Sequence, residues 1–71
     1  MKVSYDPAVD MLYIALSDAQ IVNSDEIQEG YVADYDKDGN IVGIEIFDAS
    51  ERIDAPDSIE LKILTKETMP G

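Results

Sequence analysis

Apolar and polar residues alternate along much of this chain with a period of two, the spacing of extended strands. Lys2 to Tyr5 places Val3 and Tyr5 on one side of a short strand. Asp6-Pro7-Ala8-Val9-Asp10 reads as a turn or a single helical turn, with Asp6 placed to cap and Pro7 at the tolerated first position. Met11 to Leu16 is apolar on both faces, which predicts a central strand with both sides covered. Ser17 to Gln20 is a turn. Ile21 to Gln28 is polar and acidic enough to suit an exposed edge strand. Glu29-Gly30 then turns the chain into its organising stretch, Tyr31 to Phe47.

That stretch predicts a hairpin. Asp36-Lys37-Asp38-Gly39-Asn40 carries the turn chemistry, because aspartates accept local backbone bonds and Gly39 tolerates the positive φ that closes a type I turn with a bulge. A loop of Lys37 to Gly39 sets Asp36 opposite Asn40. Asp34 then pairs with Val42, Val32 with Ile44, and Tyr31 with Glu45. In this register Val32, Val42, Ile44 and Ile46 share the core face. Tyr31, Tyr35, Ile41 and Phe47 share the other, and form the candidate partner or dimer interface.

Ser50 to Ile53 suits a helical turn, and Asp54-Ala55-Pro56-Asp57 breaks it. Ser58 to Leu64 is ambiguous: Ile59, Leu61 and Ile63 alternate, yet Asp57-x-x-Glu60 resembles a helix capping box. The β-branched content favours a strand, and residues 65–71 read as a tail. The expected architecture is mainly β, an antiparallel meander of about five or six short strands with at most one short helix. Residues 1–71 make a single small domain.

Composition narrows the chemistry. With no cysteine and no histidine, thiolate and imidazole sites are excluded, whether metal-binding or nucleophilic. Sixteen acidic residues against five basic ones give a net charge of −11, which disfavours nucleic acid and anionic membranes and favours a cationic protein partner. No apolar run suits a signal peptide or a membrane span, so the expectation is a cytoplasmic protein. A domain this small buries only about 60% of its unfolded surface, so a partner or a second copy would help to cover it.

One sharper motif crosses the hairpin. Asp34-x-Asp36-x-Asp38-Gly39-x5-Glu45 satisfies the minimal calcium-loop pattern, with oxygen ligands suited to a hard cation. The flanks are β-branched and aromatic instead of helical, and the register above points Asp34 and Glu45 to opposite faces. The reading adopted is therefore a turn, with no metal and no cofactor. Ion binding through Asp34, Asp36, Asp38 and Glu45 stands as the alternative. No catalytic constellation emerges: Tyr5, Tyr13, Tyr31 and Tyr35 suit core or interface positions, and Gly30, Gly39 and Gly43 do not make a phosphate cradle.

Three stretches together carry a family resemblance: Val3-Ser4-Tyr5-Asp6-Pro7 with Asp10-x-Leu12-Tyr13-Ile14, then Asp34-Tyr35-Asp36-x-Asp38-Gly39-Asn40 through Ile46, then Asp48-Ala49-Ser50. The chain resembles the small prokaryotic proteins grouped as domain of unknown function 2283, over about residues 2–53, with 54–71 as a C-terminal extension. The resemblance implies a compact antiparallel β domain without known catalytic residues. Similar proteins are sometimes encoded beside small toxin-like nucleases, which implies an antitoxin-like partner of a basic nuclease. Unlike many antitoxins, this chain has neither the basic surface nor the helices for DNA binding. The function expected is a non-catalytic protein-binding module; the alternatives are calcium binding and a purely structural homo-oligomeric domain.

Overall fold

The structure, a computed structural model, describes residues 1–66. Five strands form one antiparallel sheet: β1 (Lys2–Asp6), β2 (Met11–Ala15), β3 (Asn23–Gln28), β4 (Tyr31–Tyr35) and β5 (Ile41–Phe47). A short helix, α1 (Ala49–Arg52), and a 3-10 turn at Pro56–Ser58 follow. The mainly β reading is therefore correct. No helix among the described residues is long and apolar enough to cross a membrane.

The strands are not laid down as a simple meander. Their order is β1-β2-β5-β4-β3, so the chain leaves β2, passes the end of the β4–β5 hairpin and enters at the far edge. β2 is interior, paired with both β1 and β5, and β5 occupies the centre. The edge strand β3 is exposed along its whole length, as its acidic composition requires of an unprotected edge.

The hairpin turn forms as its residues dictate. Asp36 N donates to Asn40 O at 3.0 Å, Gly39 N donates to Asp36 O at 3.1 Å, and Gly39 takes φ +82°. Tyr35 accordingly pairs with Ile41. Beyond that pair the predicted register fails, because Val42 is bulged out and Asp34 pairs with Gly43, Val32 with Glu45 and Tyr31 with Ile46. One extra residue on β5 reverses which side chains share a face. The Val42 carbonyl accepts from both Leu16 N (2.9 Å) and Ser17 N (3.2 Å), so the bulge is held by the chain leaving β2.

Two faces follow, and they differ from those expected. Leu12, Ile46 and Ala49 form the core, with Val3, Tyr5, Ile14, Tyr31, Ile44 and Ile53 packed around them. Tyr31 thus belongs to the core side, together with Arg52, whose guanidinium lies 5.5 Å from its ring centroid and whose Nε donates to Phe47 O at 2.8 Å. Val32 and Phe47 lie on the opposite side with Glu45. The set Tyr31, Tyr35, Ile41 and Phe47 is therefore not one surface.

The C-terminal reading is also corrected. Ser58 closes the 3-10 turn, and residues 59–66 form no strand. Ile59 and Leu61 instead line an open groove of about 500 Å³ with Val3, Tyr5, Leu12 and Pro56, on the core side of the sheet. Alternation without a sheet edge to pair against is not enough to make a strand. Residues 67–71, most of the expected tail, lie outside the described residues.

Candidate functional site

Both helical turns sit on one side of the sheet, which leaves the other side as the place to look for function. Cross-strand partners project to the same face. The register therefore sets Tyr13 beside Glu45, Glu45 beside Val32, Gly43 beside Asp34, and Asp34 beside Ser24. Asp34 and Glu45, expected on opposite faces, are diagonal neighbours on this one. The bulge at Val42 is the reason.

Asp34 is the most buried charged residue described, 2% exposed. Ser24 Oγ donates to its Oδ1 at 2.5 Å. The Tyr13 ring crosses the α-carbon of Gly43 so closely that a Cβ there would lie 2.2 Å from the hydroxyl oxygen. Burial first, then the charges of Asp34 and Glu45, push the Tyr13 phenol up. Glu45 is pushed up to about 7, chiefly by its hydrogen bond to Asp34, then by burial and by the Asp34 charge. The buried carboxylate beside it disfavours a second charge, so the Glu45 carboxyl holds its proton to higher pH than a free glutamate does. The candidate site is this pair under Tyr13, surrounded by Met11, Val32 and Phe47.

The calcium-loop residues divide. Asp34 and Glu45 come together, but Asp36 serves the turn. Its Oδ1 accepts from Asp38 N and Asn40 N, each at 2.9 Å, and its Oδ2 accepts from Asn40 Nδ2 at 3.1 Å. Those bonds hold its carboxyl below the ordinary range. The flanking elements are strands, and among the described residues no three carboxylates are grouped to hold a metal ion. The loop has the ligand types of an EF-hand and the geometry of a hairpin.

A second polar cluster carries structure. Asp10, at φ +54°, accepts from Tyr5 Oη at 2.7 Å and Ser50 N at 2.9 Å through Oδ1, and from Ser50 Oγ at 2.6 Å through Oδ2. Its carbonyl accepts from Ala49 N at 3.0 Å. The residue that caps α1 thus comes from the β1–β2 turn, while the adjacent Asp48 makes no side-chain cap. The bonds from Ser50 and Tyr5 hold the Asp10 carboxyl below its usual 3.8, and the tie to Asp10 lifts Tyr5 to about 12.

A carboxyl lowered on folding contributes stability that is complete above its unfolded value and is lost as pH falls through its folded one. In Asp10→Asn, which keeps the tolerance for positive φ, unfolding stability should be lower near neutrality and fall less on acidification than in the parent. Denaturant unfolding between about pH 6 and pH 2 reads this, and parallel curves would refute it. In the sequence Asp10 and Asp48-Ala49-Ser50 belong to separate stretches. Nothing local shows that residues forty positions apart meet.

The stretches that build this clasp, the acidic turn and the buried carboxyl pair all fall within the part of the chain that matches a known family. No curated protein and no solved structure matches the chain. Residues 2–50 match the family model described as Protein of unknown function (DUF2283), and the chain belongs to that family.

Proposed function

We propose that this chain is a non-catalytic protein-binding module, and that the sheet face opposite α1 receives a basic partner. The observation that supports this most is the division of labour between the faces. α1, the 3-10 turn and Ile59 gather on the side of Leu12 and Ile46. Met11, Tyr13, Val32 and Phe47 are left on the other with Asp34 and Glu45, and Phe47 is 39% exposed. Apolar side chains interspersed with acids suit a cationic protein surface. A second copy suits it less well, because each chain carries −11.

The small basic nuclease implied by the family resemblance is the instance we put forward, with this chain as its neutralising partner. Co-expression with the product of the adjoining gene, followed by capture at low salt, tests it. A complex should form, weaken as salt screens the charges, and weaken on Phe47→Ser while Tyr35→Ser has little effect. Absence of a complex at low salt would end the neutralising reading. A dimeric mass lost on Phe47→Ser would place a second copy on the face instead.

A further inference from the structure

The paired carboxyls on this face are unlike a solvated acidic patch, because one member cannot move. Asp34 is 2% exposed, bonded to Ser24 and covered from the β2 side by Tyr13. Glu45 is only partly buried, at the solvent side of the pair. Among the described residues, the groups around the pair offer no cation. On β5 its neighbours are Gly43 and Phe47; on β2 they are Met11, Tyr13 and Ala15; on β4, Val32. β3 adds Ser24 and a further acid, Glu26, opposite Val32. Lys2, Ser4 and Asp6 on β1 are two strands away from Glu45.

We propose that Asp34 and Glu45 form a proton-controlled switch on the docking face: with one proton shared they close into a bonded pair, and on losing it Glu45 turns outward as a free carboxylate. The reason is electrostatic. Two like charges side by side, one of them desolvated and fixed, are relieved by holding a proton or by separating. Closed, the pair presents a single charge beneath Tyr13. Open, it presents a second carboxylate to a cationic partner, so the face attracts such a partner more strongly as pH rises through neutrality. The proposal takes from the docking reading only which face a partner meets. The titration belongs to the chain alone.

A carboxyl whose folded value lies above its unfolded one binds more protons in the folded state between the two. Stability therefore falls as pH rises from Glu45's ordinary 4.5 to about 7, and is level beyond.

Carbon-detected NMR of the side-chain carboxyls, between about pH 3 and pH 9, tests the switch on the isolated chain. In the parent the pair should complete its titration near neutrality, with chemical-shift changes at Tyr13 and Ser24 in the same step. In Asp34→Asn, Glu45 should return to about its ordinary value of 4.5. In Glu45→Gln, the loss of stability between about pH 5 and pH 8 should disappear. If the parent's two carboxyls are both ionised by about pH 5, the switch does not exist. That result holds whether or not either variant folds, and leaves the docking reading to its own test. If the late titration is present but Tyr13 and Ser24 do not sense it, the pair holds a proton without opening, and the switch is equally overturned.

Discussion

Leu12→Ala should remove a large part of the stability of this domain. Leu12 is 2% exposed, lies between Tyr5 and Ile46 in the sheet register, and packs with Ile46 and Ala49 at the centre of the core. Removing a buried leucine to the β-carbon costs about 2–5 kcal/mol, the sum of lost transfer energy and the cavity left behind. A domain of this length holds about 4–11 kcal/mol in all, at roughly 0.05–0.15 kcal/mol per residue. The variant should therefore melt at least about 10 °C below the parent, or be unfolded at room temperature. Ile63→Ala, at a position 76% exposed, is the matched control and should change little. Thermal denaturation followed by circular dichroism reads both. A Leu12→Ala loss under about 1 kcal/mol would mean that the core is centred elsewhere.

Gly43→Ala should be destabilising for a reason that runs against the usual preference. Within a strand, alanine normally gains about 0.5–1 kcal/mol over glycine through the entropy of the unfolded chain. Here the added Cβ meets the Tyr13 hydroxyl oxygen at 2.2 Å and its Cζ at 2.8 Å. Three atoms of one phenol are too close at once, so the ring must swing as a unit and Tyr13 shifts from its place over Asp34. Overpacking of this kind costs about 1–3 kcal/mol, enough to reverse the sign. In a Tyr13→Ala background the same substitution should be neutral or favourable, giving a coupling of about 0.5–3 kcal/mol. Equal effects in both backgrounds would show that Tyr13 does not rest on Gly43. The same displacement uncovers the carboxyl pair, so Gly43→Ala should also bring Glu45 back toward the ordinary carboxylate range.

How much of this was legible beforehand depended on the range of the interaction. Gly39, with Asp36 before it, is enough to specify the turn, and the first pair beyond it, Tyr35 with Ile41, follows. The polar edge strand and the interior strand at Met11 are also legible, because each pattern records its own solvation. Asp6 acts as its sequence suggests, accepting from Ala8 N at 3.0 Å across the turn that follows β1. Residues 58–64 mislead, since an alternating pattern reports a preference and a strand also needs a partner to bond. Of the four proposed interface residues, Tyr31, Tyr35 and Ile41 keep a common face and Phe47 moves to the other, from the single cause that also hid the carboxyl pair.

The chain's own chemistry determined which segments extend, where they reverse, and that neither thiol nor imidazole takes part in whatever the domain does. Only the assembled sheet decided which residues look the same way. Side chains in a strand alternate at every step, so one inserted residue exchanges the two faces for everything beyond it. That insertion is fixed at Val42 by two amide donors from Leu16 and Ser17, a long-range contact that no window around the hairpin contains. The same contact therefore decides whether Asp34 and Glu45 are strangers or partners.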